Sequence, residues 1–139
     1  ANSYLIIGEE RAVLLDLAVN SPELKTYAEK LAGKPVQLVL SHGHYDHAFY
    51  LNQYQDVWMN TKDKFLLKKG MLGFPPVEPC PIIHGLEAGD VIDLGGRSWK
   101  FFTSRDIRRE VFCFLTENAE CCFREIPVHE DFFTDCMNR

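Results

Sequence analysis

Long hydrophobic runs are missing from this chain. None of its apolar stretches approaches the roughly 20 residues that cross a bilayer as a helix, and no charged-then-apolar leader opens it. A soluble, cytoplasmic protein with no membrane partner is expected. Positive charge is also short: fifteen Lys and Arg stand against twenty Asp and Glu, a formal net charge of −5, so there is no basic footprint for a nucleic acid. Cysteine occurs five times, an odd number, and never as C-x-x-C, which argues against both a disulfide framework and a thiolate zinc site. The 139 residues are 46% hydrophobic, enough for one domain with its own core. The opening Ala-Asn-Ser has no methionine, which leaves room for residues ahead of it.

Against this background, three of the five histidines and an aspartate crowd into seven residues, Ser41-His42-Gly43-His44-Tyr45-Asp46-His47. The preceding Val36-Gln37-Leu38-Val39-Leu40 is mostly apolar and bounded by Gly33, Pro35 and Gly43, which predicts a buried strand. The ligand-type residues therefore begin where a strand ends. In extended chain, residues two apart face the same way, so His42 and His44 turn toward one ion. If a helix begins near Ala48, Asp46 and His47 lie on its first turn and reach a second ion beside the first. Imidazoles and a carboxylate suit Zn²⁺, and also Fe or Mn. A single His is more often a surface or satisfied core residue than a ligand. Three with an Asp at a buried strand end cost stability unless something pairs them.

The H-x-H-x-D-H run after a hydrophobic strand resembles the signature of the metallo-β-lactamase-fold hydrolases. Residues 2–16, N-S-Y-L-I-I-G-E-E-R-A-V-L-L-D, are similar to that family's opening hairpin, and residues 86–97, L-E-A-G-D-V-I-D-L-G-G-R, to the turn and strand before its next ligand. The resemblance implies an α/β fold with mixed sheets. Residues 1–97 would form the N-terminal half-domain of a four-layer αββα sandwich. It also implies metal binding by His42, His44, Asp46 and His47, a catalytic part for Asp46, and a supporting carboxylate, Asp16, behind a ligating imidazole. Where the family follows that Asp with Thr-Gly or a similar small pair, this chain has Leu17-Ala18. One or two zinc ions are the expected cofactor.

In chain order, Tyr4 to Ile7 and Ala12 to Asp16 read as a hairpin. Ser21-Pro22-Glu23 predicts a helix start, with Leu24, Tyr27, Ala28 and Leu31 as its apolar stripe and Gly33 as its end. Ala48 to Tyr54 reads as a short helix and Val57 to Met59 as a strand. Thr61 is placed to cap a helix carrying Phe65, Leu66, Lys68 and Lys69. Residues 71–81, rich in Gly and Pro, predict a surface loop whose Met71, Leu72, Phe74 and Val77 line a substrate-facing groove. His84 is expected to be structural or exposed, and Val91 to Leu94 a strand.

After Arg97 the motifs stop. The family pattern would continue with a P-G-H-T-type loop bearing a His ligand, then a strand ending in G-D whose Asp bridges two metals. The chain instead runs S-W-K-F-F-T-S-R-D-I-R-R-E-V-F-C-F-L-T-E-N-A-E-C-C-F-R-E-I, and four of the five cysteines fall beyond this point. Reading the third base of each codon as the first of the next changes the picture. The Trp99–Lys100 junction then forces Glu, while Phe102–Thr103 and Asp106–Ile107 each allow only His or Tyr. Residues 98–111 can then read L-E-V-L-H-I-P-G-H-T-K-G-S, and residues 121–126 M-L-F-S-G-D. Both missing motifs reappear in one frame, so a one-nucleotide slip near Arg97–Ser98 is expected, with residues 98–139 a tail in the wrong frame.

The implied parent is a metal-dependent hydrolase that activates water for attack on an ester, thioester, lactam or phosphodiester of a small-molecule substrate. The chain as written is expected to be inactive, since the loop His and bridging Asp are missing. Its exposed apolar surface would favour self-association. The alternative is a non-catalytic metal-binding or interaction protein with a genuine tail, in which His129, Cys121, Cys122 or Asp131 replaces the lost ligands. A di-iron oxidoreductase of the same fold is disfavoured by His44, where that branch usually places Glu.

Overall fold

The computed structural model describes residues 2–70, 73–87, 89–96, 98–100, 111–116 and 119–124, the last two segments by their backbone. They fall into two units, residues 1–86 with 94–96, and residues 87–93 with 97–139.

The first unit is built on a five-stranded mixed sheet in the order β1-β2-β3-β4-β5. β1 (Tyr4–Ile7) and β2 (Ala12–Leu15) form the expected antiparallel hairpin, with Tyr4 opposite Leu15. β3 (Val36–Val39), β4 (Asp56–Met59) and β5 (Ile82–Gly85) follow in parallel. Parallel neighbours need a crossover, and α1 (Leu24–Ala32) lies in the first and α2 (Lys64–Lys69) in the third. Leu14, Leu38, Leu40, Val57 and Met59 from the sheet meet Ala28, Leu51 and Leu67 in one buried core. All four residues of β2 are buried, as befits a strand covered on both faces.

Several predicted details shift for physical reasons. In α1 the buried residues are Ala28 and Ala32, with Leu24 partly buried against the core, while Tyr27 and Leu31 are 61% and 55% exposed. A nine-residue helix on a sheet buries its i, i+4, i+8 row, and two alanines let its backbone come close. Gly33 ends it in the left-handed conformation, φ 62°, and its N–H donates to the Glu29 carbonyl. No α-helix begins near Ala48; Tyr45–His47 and Leu51–Gln53 are 3₁₀ turns. The Leu17 N–H donates to the His47 carbonyl and the Phe49 N–H to the Leu17 carbonyl, a parallel bridge that engages the groups an α-helix would need. Thr61 does not cap α2 but opens a 3₁₀ turn, Thr61–Asp63, that is capped by Asn60, its Oδ1 accepting from the Lys62 N–H 2.9 Å away, and α2 follows with Asp63 at its N-cap and no side-chain cap bond. Local pattern does not announce β5, because its Ile82-Ile83 pair is embedded among prolines and glycine. It carries His84, whose Nε2 is 2.6 Å from Asp56 Oδ1 and whose ring stacks on Trp58 at 4.3 Å.

In the second unit β6 (Val91–Asp93) pairs with β7 (Ser98–Lys100), setting Ile92 opposite Trp99. β8 (Val111–Thr116) and β9 (Ala119–Arg124) form an antiparallel hairpin from Val111↔Arg124 to Thr116↔Ala119. Met71, Leu72, His129, Asp131 and the side chains of Cys121 and Cys122 lie outside the described residues. Among the described residues no helix is long and apolar enough to cross a membrane.

Candidate metal centre

The carboxyl ends of β2 and β3 lie side by side, and the residues just beyond them, Asp16 after β2 and Ser41-His42 after β3 and Leu40, enter the site. Asp16 follows β2, and its N–H donates to the Val39 carbonyl. It stands in the left-handed region, φ 63°, a conformation uncommon for a residue with a side chain. Its buried carboxylate accepts from the Ser41 N–H at Oδ1 (2.6 Å) and from the Ser41 hydroxyl at Oδ2 (2.6 Å), and Oδ2 is 3.0 Å from His47 Nδ1. An ionised carboxylate only accepts, so His47 donates from Nδ1. The Ser41 hydroxyl spends its one proton on Asp16, so the 2.9 Å contact with His42 Nδ1 is donated by the ring. One carboxylate thus sets the proton on Nδ1 of both imidazoles and makes Nε2 the lone-pair nitrogen of each, the nitrogen through which each could hold a metal.

His42 and His47 are buried, His44 is exposed and Asp46 half-buried. The His42 ring lies 4.4 Å from that of His44 and 4.2 Å from that of His47. The ligand atoms of His42, His44 and Asp46 all lie within 4.8 Å of one another. Around a tetrahedral zinc with bonds of about 2.0–2.1 Å they would stand roughly 3.4 Å apart, so small side-chain adjustments would bring all three onto one ion. The donor set fits a divalent transition metal. Asp46 shares one cluster with His42 and His44, and its Oδ2 is also 3.5 Å from His47 Nε2, so it stands between the pair and the third imidazole.

A further residue holds this loop. The Gly43 N–H donates to Asp63 Oδ2 at 3.0 Å, and a Cβ on Gly43 would come within 2.9 Å of Asp63. Gly43 therefore serves close approach, and Asp63 pins the peptide between the first two ligands. In the sequence Ser41 is only the first residue of the motif, and Asp63 carries no signal. In Asn60-Thr61-Lys62-Asp63 it looks like another turn residue, and only the fold brings it to a glycine twenty positions earlier.

Hollows open at both ends of the sheet of this unit, one of them beside the metal loop. The larger, about 780 Å³, lies at the amino ends of β3 and β4 among Lys25, Glu29, Gln37, Tyr54 and Asp56, and none of the candidate ligands lines it. The smaller, about 190 Å³, is lined by Gly43 and Tyr45 of the metal loop. Chemistry rather than size makes the smaller one relevant.

The family model of the metallo-beta-lactamase superfamily matches residues 1–123, continuing past Arg97 where the recognisable motifs of the sequence end. The Probable metallo-hydrolase YqgX of Bacillus subtilis (strain 168) is 24% identical over 106 residues, which are 68% of this chain and 50% of that protein. Among solved structures, MEM-A1, a subclass B3 metallo-beta-lactamase from a soil metagenome library, superposes with a TM-score of 0.60 at 18% identity, covering 86% of this chain and 54% of that one. The class B3 di-zinc metallo-beta-lactamase LRA-12 from an Alaskan soil metagenome gives 0.60 at 17%, covering 96% and 60%. The chain thus spans about half the length of the curated relative, and the likeness to the solved structures is one of fold, the metallo-β-lactamase sandwich. With the family model matched through residue 123 and a His-His-Asp cluster assembled at the strand ends, the chain belongs to the metallo-beta-lactamase superfamily.

Proposed function

We propose that the complete form of this protein is a cytoplasmic zinc hydrolase acting on a small-molecule ester, thioester, lactam or phosphodiester. The observation that carries this reading is the convergence of His42, His44 and Asp46 beside His47, with Asp16 fixing the tautomers of His42 and His47. His42, His44 and Asp46 would hold one ion, and Asp46 with His47 would contribute to a second. Bound zinc supplies Lewis acidity and a hydroxide near neutral pH. Asp46, half-buried and adjacent to both groups, is also placed to hold a proton of the attacking water.

This polypeptide as written should be inactive. Among the described residues this is the only cluster of three or more metal-capable side chains, and the sequence after Arg97 offers neither the loop His nor the bridging Asp that the family resemblance calls for to complete a two-ion site. We attribute the gap to a one-nucleotide frame slip near Arg97–Ser98. Resequencing the codons for residues 95–102 tests this, and an extra base restoring P-G-H-T and G-D is the expected result. Trace-metal analysis with a chromogenic ester and a lactam tests the inactivity. Two tightly held zinc ions together with turnover would overturn it.

A second reading has support of its own. The family match runs to residue 123, and β8 and β9 pair over six residues each, as a genuine tail would. The chain would then be a non-catalytic metal-binding protein drawing on His129, Cys121, Cys122 or Asp131. An unchanged reading frame, with tight single-metal binding lost in His129→Ala, would establish it.

A further inference from the structure

The smaller hollow lies between the metal loop, α2 and the segment that follows it. Gly43 and Tyr45 form one wall, Leu66 and Leu67 another, and Phe74 and Val77 the third. Among the described residues no charged side chain lines it. The Tyr45 ring stacks on Phe74 with centroids 3.8 Å apart and planes 11° from parallel. Both rings are substantially exposed, 37% and 45%, beside the one cluster in the described residues that can take a metal. Tyr45 sits in sequence between the candidate ligands His44 and Asp46, so a group held against it is close to any bond cleaved there.

We propose that this hollow is the subsite for an uncharged, phenyl-sized group of the substrate. The assignment rests on the hydrolase reading above and narrows its substrates to those carrying such a ring near the scissile bond. Size supports it: an apolar cavity of about 150 Å³ binds benzene, and this one offers about 190 Å³, enough for a ring and an attached carbon or two. Chemistry supports it as well. A charged group entering would meet no counter-charge and would lose hydration without recompense, whereas an aromatic ring meets the Tyr45 and Phe74 rings and the Leu66, Leu67 and Val77 side chains. Specificity in such a pocket comes from shape and exclusion of charge.

Benzyl alcohol is the probe, with benzoate as its charged counterpart, titrated into the full chain while the amide resonances of Gly43 and Tyr45 and the Phe74 ring are followed by NMR. Zinc affinity is measured in parallel by chelator competition. Saturable shifts at these three residues with benzyl alcohol, at least tenfold weaker with benzoate, are expected. Val77→Phe, which fills the hollow, and Phe74→Ala, which removes half of the stacked pair, should each weaken benzyl alcohol binding at least tenfold and leave zinc affinity within twofold. Shifts that are absent, or unchanged in both variants, would overturn the subsite. Ring binding intact in a chain that takes up no zinc even with the frame after Arg97 restored would overturn the hydrolase reading instead, and with it the assignment of the ring to a substrate.

Discussion

Asp16 carries more of the site than any ligand does. Three groups depend on its carboxylate, the Ser41 N–H, the Ser41 hydroxyl and the His47 ring, and all are buried. Asp16→Asn keeps the volume but turns one accepting oxygen into a donor facing another donor. Zinc affinity should fall about 10- to 100-fold, measured by chelator competition, and an unchanged affinity would show that His42 and His47 are oriented some other way. Asp63 acts on the other side of the same loop. Asp63→Ala frees the Gly43 peptide, whereas Asp63→Asn retains an accepting oxygen at the same place. The expected order of zinc affinity is wild type, then Asn, then Ala, with the Ala variant about tenfold weaker. Equal affinities in all three would remove Asp63 from the site.

The elements owe their places to burial. Leu38 of β3 lies in the core with Leu14, Val57 and Ala28 and is 1% exposed. Leu38→Ala should cost about 2–5 kcal/mol through lost transfer energy and the cavity left behind, read by urea denaturation. Tyr54, between the Leu51–Gln53 turn and β4, tells the opposite story. Its hydroxyl is buried and has no hydrogen-bond partner among the described residues. Burial, with Glu29 nearby as a lesser influence, pushes the phenol well above its usual 10. Because the folded state holds that proton more tightly than the unfolded chain, its contribution is fully present below pH 10 and is lost as pH rises beyond it. Tyr54→Phe removes an unsatisfied group and should stabilise the fold by about 1 kcal/mol at pH 7. It should also flatten the decline in stability above pH 10. A variant less stable than wild type at neutral pH would mean that the hydroxyl has a partner after all.

At the scale of the whole molecule, the first unit has a continuous core and its own candidate site. The chain spans about half of its curated relative, and the ligands that would close the shell are absent from the pattern after Arg97. We therefore expect zinc to bind this chain in the micromolar range or weaker, far from the affinity of a closed structural shell, with no detectable turnover. Restoring the frame after Arg97 by a single inserted base should recover both. If it recovers neither, the tail is genuine and the protein's business is binding.

The sequence by itself determined the crowding of metal-capable side chains in one loop, the hairpin, the strand before that loop and the membership of a family. Those features are written in local patterns: imidazoles at alternating positions, apolar runs between glycines and prolines, and a motif packed into seven residues. The tertiary structure decided what local pattern cannot carry. Which face of α1 is buried depended on how closely two alanines let it approach the sheet. Whether the residues after Asp46 formed a helix depended on Leu17 competing for their backbone groups. Asp16, Ser41, Asp63, Tyr45 and Phe74 acquire their roles through partners mostly twenty or more residues away, and only the packing of parallel strands brings such partners within a hydrogen bond or a ring contact.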